Sequence, residues 1–333
     1  MAAQAVSLSV LDLCPVPQGS KPADALHNSL ALARHAESTG YRRFWVAEHH
    51  NMTGIASAAT SVVMGYLAGG TERIRIGSGG IMLPNHAPLQ IAEQFGTLES
   101  LYPGRIDLGL GRAPGTDPAT AQALRRGRAD GEDFPHMLEE LRRLFAEPQP
   151  GQRLRAVPGA GLEVPIWLLG SSTFSAQLSG RLGLPFAFAG QFSPDYMLAA
   201  LRTYRDNFEP SAQLQAPHAM LGINAYVAPS RDEAHYLATS HQQAFLKLIR
   251  GNPGPLPPPV DDIEALWQPH ERHSVMSTLA GTLVGEPVTV AQQLADLIDR
   301  TGVQELIVNS SIYDQPMRHR SYSLLMQAMR EMQ

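Results

Sequence analysis

Cysteine is almost absent from this chain of 333 residues, since Cys14 is its only occurrence. A single thiol can form neither an internal disulfide nor the multi-cysteine cage of a structural zinc site. Long apolar runs are also missing, because no segment approaches the roughly 18 apolar residues that a membrane-spanning helix needs. The first ten residues, MAAQAVSLSV, lack a basic stretch followed by an apolar one, so we expect no signal peptide and a cytoplasmic location.

Clusters of basic residues are likewise missing. Lysine and arginine together number 26 against 31 acidic residues, which gives a formal net charge of −5, and the arginines are scattered. Such a chain has no cluster of positive charge that would indicate nucleic-acid binding. Its content of 44% hydrophobic and 17% charged residues suits a globular protein with a large core. We therefore expect small molecules as partners, and neither nucleic acid nor a membrane.

Short apolar runs alternate with segments of helical periodicity along the chain. The runs predict eight strands, at 6–11, 44–47, 74–77, 106–110, 165–169, 186–189, 221–227 and 305–309. The periodic segments predict helices at 23–39, 56–67, 88–101, 135–145, 175–182, 194–207, 232–249, 290–300 and 322–332. This alternation permits either a closed (β/α)8 barrel or an open doubly wound sheet.

The segment after the first strand distinguishes these two folds. An open sheet that binds a dinucleotide usually carries GxGxxG there, whereas this chain reads LCPVP at 13–17. We therefore predict an α/β fold of the (β/α)8 TIM-barrel type, with residues 1–333 forming a single domain. The proline-rich segment 251–286 is too long for an ordinary connection, so we expect a mobile, lid-like insertion before the last strand.

Ionisable side chains follow the second strand in the tripeptide Glu48-His49-His50. A histidine at a strand end can transfer protons near neutral pH, which makes His49 a candidate for redox or proton-transfer chemistry. A metal site would need further ligands, which His86, Asp12 and Glu48 could supply. A structural hydrogen-bonding role for the tripeptide is the remaining alternative.

Small hydroxyl residues follow the fifth strand and begin a helix, in the sequence GSSTFS at 170–175. Hydroxyl groups satisfy the free N–H groups of a helix N-terminus, and the same N–H groups bind phosphate well. An ordinary helix cap would explain this sequence by itself. Arg112, however, ends the neighbouring fourth strand and adds a guanidinium that can grip an anion. The two features together favour a phosphate site.

Three long segments contain these candidate residues except Asp12, in this order: WVAEHHN, IGSGGIMLPNHAPLQIAEQFGTLESLYPGRIDLGLGRAPG and WLLGSSTFSAQLSGRLGLPFAFAGQF. The segments resemble the bacterial luciferase-like family of flavin-dependent monooxygenases, and they occur at matching strand ends. The resemblance spans almost the whole chain. It implies a TIM barrel that uses reduced FMN and O2 to oxygenate a small organic substrate. Because no nicotinamide-binding sequence is evident, a separate flavin reductase is the expected source of reduced flavin.

The resemblance also assigns roles to individual residues. It implies that His49 is the active-site histidine and that Glu48 supports it. The residues that it implies for cofactor binding are Ser78, Gly79, Arg112, Gly170, Ser171, Ser172 and Ser175. It further implies a non-proline cis peptide bond at Ser78-Gly79, beside the flavin ring, and a homodimer.

Two other functions remain open within the resemblance. The family also contains reductases that use the deazaflavin F420 to move hydride without oxygen, and a flavin-binding barrel without catalysis is the third possibility. Light emission is not implied, because Gly111 stands where luciferase has a reactive cysteine and Ser171 where it has an acidic residue. Substrate specificity is expected from variable loops, such as 115–132 and the 251–286 insertion.

Overall fold

The sheet of this protein closes on itself, because its first and last strands pair. A computed structural model describes residues 6–113, 117–125 and 131–332. Its strands are β1 Ser7–Asp12, β2 Arg43–Val46, β3 Arg75–Ser78, β4 Ile81–Met82, β5 Ile106–Gly111, β6 Ile166–Gly170, β7 Phe186–Phe188, β8 Ala219–Val227, β9 Leu283–Gly285 and β10 Glu305–Asn309. All pairings are parallel, and eight strands form a barrel in the order β1-β2-β3-β5-β6-β7-β8-β10, with β10 returning to β1. The predicted TIM barrel is confirmed.

Helices surround the barrel. They are α1 Pro22–Thr39, α2 Thr60–Gly69, α3 Pro88–Leu101, α4 Pro118–Arg125, α5 Phe134–Phe145, α6 Thr173–Arg181, α7 Met197–Asp206, α8 Arg231–Ile249, α9 Pro269–Thr278, α10 Pro287–Thr301 and α11 Gln315–Met332. Proline occupies a first-turn position of α1, α3, α5, α9 and α10, where its missing N–H costs no hydrogen bond. Of the helices described, none has the length and apolar character to cross a membrane.

Two helix starts differ from the sequence prediction by four residues or more. Helix α2 begins at Thr60 instead of 56, and the Thr60 hydroxyl bonds to the carbonyl oxygen of Ala47. Helix α11 begins at Gln315, seven residues before the predicted start, and Asp314 accepts a hydrogen bond from the backbone N–H of Met317. The first turns of α11 are polar, so apolar periodicity did not reveal them.

A layer of charged side chains fills the bottom of the barrel, at the N-terminal ends of the strands. Arg43 of β2 contacts Asp107 of β5 at 2.7 Å and Glu305 of β10 at 2.9 Å, and both carboxylates are fully buried. Arg75 binds the other oxygen of Asp107, and the Ser9 hydroxyl donates to Glu305. This face of a TIM barrel usually serves stability, not catalysis.

An apolar layer lies directly above the charged one. Leu11, Trp45 and Ile307 stand two residues beyond Ser9, Arg43 and Glu305 on their strands, and side chains two apart in a strand point the same way. They form one buried cluster that contains Leu11, Trp45, Trp167, Ala187, Met220 and Ile307. The barrel is therefore solid below its C-terminal end.

The segment 251–286 contains α9 and β9 and packs against α8. Leu246 of α8 and Trp267, Val275 and Leu279 of the segment form a separate buried cluster. Arg250 binds both oxygens of Glu271. The segment thus carries its own secondary structure, while its mobility and the single-domain organisation of the chain stay predictions.

Candidate active site

A cavity of about 640 Å³ opens at the C-terminal ends of the barrel strands, where TIM-barrel enzymes carry their active sites. The apolar layer forms its floor, through Leu11, Trp45 and Ile307. Helix α8 and the start of the 251–286 segment also line it, through His241, Ala244, Phe245, Leu248, Pro253, Gly254 and Leu256. The predicted insertion therefore contributes to the cavity wall.

A group of side chains with the chemistry of an anion site lies along one side of this cavity. Arg112 follows β5, and its guanidinium carbon stacks 4.3 Å from the centre of the Phe174 ring in α6. Within the described ranges Arg112 forms no ion pair with a carboxylate. A stacked guanidinium without a carboxylate partner suits an incoming anion.

The N-terminus of α6 completes this arrangement. Ser172 is the N-cap residue, but its side chain makes no capping hydrogen bond, and Ser171, Ser172 and Ser175 all line the cavity. A Cβ atom at Gly170 would lie only 2.7 Å from the Cβ and Oγ atoms of Ser175, so a side chain there would collide with the helix. Glycine at 170 thus lets the end of β6 approach the helix N-terminus, whose N–H groups face an anion favourably.

His49 lines the cavity and has an unused polar atom. Its Nδ1 atom is buried and has no hydrogen-bond partner in the part of the chain that the structure describes. Burial lowers the pKa of His49 below its ordinary value of 6.5, although the nearby charge of Glu48 opposes the shift. A neutral imidazole with a free nitrogen can accept a proton from a bound molecule or hydrogen-bond to it.

The hydrogen bonds of Glu48 go to groups other than His49. Its buried carboxylate accepts hydrogen bonds from His50 Nε2 at 2.8 Å, from His86 Nε2 at 2.9 Å and from the backbone N–H of Met82 at 3.0 Å. Burial acts to raise the pKa of Glu48, but these contacts outweigh it and the pKa lies below the ordinary value. The structure thus shows no direct contact between the carboxylate and His49, and Glu48 influences the imidazole through its charge.

The metal ligands considered from the sequence are only partly brought together. The ligand atoms of Glu48, His50 and His86 lie within 4.8 Å of one another. Asp12 does not join them, because its carboxylate binds Arg318 at 2.8 Å and the hydroxyl of Ser29. The two imidazoles already give the buried carboxylate the hydrogen bonds that a buried charge requires.

Ser78 and Gly79 occupy different environments. The Ser78 hydroxyl donates to the carbonyl oxygen of Gly109 at 2.8 Å and accepts from its N–H, so this side chain joins β3 to β5 and does not line the cavity. Gly79 does line it. The non-proline cis peptide bond joins Gly79 and Gly80, one residue beyond the expected Ser78-Gly79 position.

Amide side chains that the sequence analysis did not identify also line the cavity. Asn309 donates to Asn224 at 3.0 Å, and Asn224 donates to the carbonyl oxygen of Gln191 at 2.7 Å. The Oε1 atom of Gln191 is buried and lacks a partner in the described segments. Asn309 ends its strand and could have been found by the strand-end rule, whereas Asn224 lies within β8 and gave no such signal.

Comparison with known proteins supports the resemblance seen in the sequence. The sequence model of the luciferase-like monooxygenase family matches residues 7–305. A luciferase-like monooxygenase of Escherichia coli (strain K12) is 51% identical over 333 residues, which cover 100% of this chain and 99% of the relative. The N-acetyl-S-alkylcysteine monooxygenase of Bacillus subtilis (strain 168) is 32% identical over 97% of this chain and 98% of its own.

Solved structures agree with the sequence comparison. The crystal structure of apo-MsnO8 superimposes with a TM-score of 0.87 at 36% identity, and the match covers 98% of both chains. The length of the matched region and the sequence identity are both high enough to establish the family. This chain belongs to the luciferase-like monooxygenase family.

Proposed function

We propose that this protein is a monooxygenase that uses reduced FMN and O2 to oxygenate a small organic substrate, with reduced flavin supplied by a separate reductase. One observation carries the proposal: a single cavity contains both a group of side chains with the chemistry of an anion site and a buried imidazole nitrogen without a partner among the described residues. Family membership supports the same reaction type.

The residues of the cavity fit FMN. The guanidinium of Arg112, the hydroxyls of Ser171, Ser172 and Ser175, and the N–H groups at the start of α6 would hold its phosphate. Gly79 and the apolar floor offer an apolar surface for the ring system. When bound, reduced FMN supplies the electrons with which O2 is activated.

The protein's own residues would contribute binding, shielding and proton transfer. The floor formed by Leu11, Trp45 and Ile307 keeps water from the inner cavity, and excluding water limits side reactions. The neutral His49 can take up or deliver a proton at Nδ1. Glu48, held by His50 and His86, keeps a negative charge close to that imidazole.

Replacing Arg112 with alanine should weaken FMN binding about 10- to 150-fold, because a charge-assisted hydrogen bond contributes about 1.5–3 kcal/mol. Titration calorimetry with FMN measures the change. Arg181→Ala is the matched control, since it removes an equal charge from the opposite end of the same helix. Unchanged affinity in the Arg112 variant would refute the phosphate assignment.

The reaction type can be tested with both reduced cofactors. The protein is mixed with chemically reduced FMN or reduced F420, with and without 18O2, and offered a panel of thioethers, ketones and alkanes. We expect product carrying one 18O atom only with FMN and oxygen. Reduction of substrate by F420 without oxygen would support the hydride-transfer alternative instead. FMN binding without any product would support a flavin-binding barrel that lacks catalysis.

We also propose that the chain acts as a homodimer. Exposed apolar side chains on the neighbouring helices α2 and α3 support this, since Val62, Tyr66 and Leu101 are 72%, 42% and 63% exposed. Analytical ultracentrifugation should give the mass of two chains. A monomer at micromolar concentration would contradict the proposal.

A further inference from the structure

A second imidazole reaches the cavity, from α8. His241 is 7% exposed, lines the cavity, and stacks edge to face against Phe245 with their ring centres 4.9 Å apart. The roles assigned above to Arg112, His49 and the serines leave it without a function. Its hydrogen bonds determine what it can offer to a bound molecule.

The tautomer of His241 is set by Tyr226. The phenol oxygen of the buried Tyr226 lies in hydrogen-bond contact with His241 Nδ1. Burial raises the pKa of Tyr226, so the phenol keeps its proton at neutral pH. A buried phenol proton needs an acceptor, and among the described side chains His241 Nδ1 lies within hydrogen-bond distance of the phenol, so the proton is directed to Nδ1. Nδ1 is therefore an acceptor.

The remaining nitrogen of His241 is then a donor. Burial lowers the pKa of His241 to about 4, so the ring is neutral near pH 7 and carries its single proton on Nε2. Across the described residues, Nε2 has no hydrogen-bond partner, yet it is not among the buried unpartnered atoms, so the cavity can reach it. His241 thus presents one fixed N–H group to the cavity.

Apolar side chains of α8 and of the 251–286 segment line the cavity together with His241. Ala244, Phe245 and Leu248 follow it on α8, and Leu256 of the 251–286 segment lines the same cavity. A neutral donor beside apolar side chains favours an uncharged acceptor, because a charged group buried against such side chains would lose too much hydration. A few convergent polar groups among apolar walls are the usual means by which a cavity orients its ligand.

We propose that His241 positions the substrate by donating a hydrogen bond from Nε2 to an uncharged oxygen, such as a carbonyl, on an otherwise apolar molecule. This inference rests on the proposed function, since it names the substrate class of the same cavity. It assigns His241 no role in electron or proton transfer. The chemistry stays with the cofactor and His49, while His241 sets the orientation of the molecule that is oxygenated.

The tautomer is tested directly by NMR. Long-range 1H–15N correlation spectra of protein labelled at histidine nitrogen should show His241 as the Nε2–H tautomer at pH 7, with the signal assigned by its loss in His241→Gln. A Tyr226→Phe variant should lose the constraint and show a mixture of tautomers. An Nδ1–H tautomer or a doubly protonated ring in the unmodified protein would overturn the inference.

The hydrogen bond is tested with two probes of the same skeleton, propiophenone and propylbenzene, which differ by one carbonyl group. Calorimetry in the presence of saturating FMN gives the ratio of their affinities. In His241→Phe we expect the preference for the ketone to fall about 3- to 10-fold, which corresponds to one hydrogen bond between neutral groups. His241→Gln should restore the preference, because its amide can accept from Tyr226 and donate to the cavity.

A control variant separates this effect from the general loss of an imidazole with a lowered pKa. His319→Phe removes a histidine whose pKa burial likewise lowers to about 4, but which does not line the cavity, and it should leave the ratio unchanged. If the ratio of the affinities for propiophenone and propylbenzene is the same in the wild type and in His241→Phe, the inference is wrong. The binding ratio is independent of turnover and can also be measured without FMN, so its failure is distinct from a failure of the proposed oxygenation.

Discussion

Replacing Arg43 with methionine is expected to lower the free energy of unfolding by about 3–5 kcal/mol, since removal of one partner leaves buried charges uncompensated. Arg43 contacts both Asp107 and Glu305 in the charged layer at the bottom of the barrel, and neither carboxylate is exposed to solvent. Arg75 still binds Asp107 and His218 still contacts Glu305 in the variant, so the larger loss falls on Glu305. Chemical denaturation at pH 7 measures the change.

The control for this variant is Arg73→Met, whose side chain is 74% exposed and whose replacement should change stability by less than about 0.5 kcal/mol. Equal stability of the two variants would show that the charged layer does not hold the barrel together. Adding Glu305→Gln to Arg43→Met should recover part of the loss, because it removes the carboxylate that the first change leaves unpaired.

The stability loss in Arg43→Met should also depend on pH. Burial acts to raise the pKa of Glu305, but His218, Arg43 and Ser9 hold it below the ordinary value of 4.5. In the wild type, the stability from this carboxylate is therefore present above pH 4.5 and is lost as pH falls through the lowered pKa. Without Arg43 the carboxylate destabilises the fold at neutral pH and protonates more readily. The difference in free energy of unfolding between the Arg43→Met variant and the wild type should therefore become smaller as pH falls towards 4.5.

Replacing His49 with alanine should reduce the rate of oxygenation about 10²- to 10⁴-fold, the usual contribution of a positioned acid–base group. FMN affinity should stay close to that of the wild type, because the proposal assigns phosphate binding to Arg112 and α6 and not to His49. Folding should also be retained, since His49 Nδ1 makes no hydrogen bond with any described residue. Steady-state kinetics under a fixed supply of reduced FMN, together with FMN titration, separate the two effects.

The pH profile gives a second readout for His49. Its pKa lies below 6.5 through burial, so the rate should hold at neutral pH and fall only as pH drops through that lowered value. This fall in rate at low pH should be absent from the pH profile of the alanine variant. His136→Ala, an exposed histidine on α5, is the control and should keep both rate and profile. A turnover rate within twofold of wild type would remove the proton-transfer role.

Much of the fold followed from local pattern. The strand at 305–309 and the helix at 88–101 were predicted with the bounds that the structure shows, because apolar runs and a first-turn proline depend on neighbouring residues only. Helix α11 was predicted too short, since Arg318 in its polar first turns is buried through an ion pair with Asp12, which lies 306 residues away. No local pattern carries that information.

The sequence predicted which strand ends contribute residues to the candidate site. It did not predict which of these side chains contact one another. Arg112 and Ser171, Ser172 and Ser175 do line one cavity, as expected from neighbouring parallel strands. The Glu48 carboxylate accepts hydrogen bonds from His50 and His86 and not from His49. The Ser78 hydroxyl donates to the carbonyl oxygen of Gly109 in β5. Part of the expected specificity loop at 115–132 lies outside the described residues.

The sequence alone therefore determined the family, the barrel and the positions from which chemistry could come, since these depend on periodicity and on residues adjacent in the chain. Tertiary structure decided which nitrogen of an imidazole is free. His241 owes its tautomer to Tyr226, and Arg43 meets Glu305 across 262 residues, because closing the barrel brings β2 and β10 into the same charged layer. A hydrogen bond depends on tenths of an ångström between distant segments, and only packing of the whole chain fixes such distances.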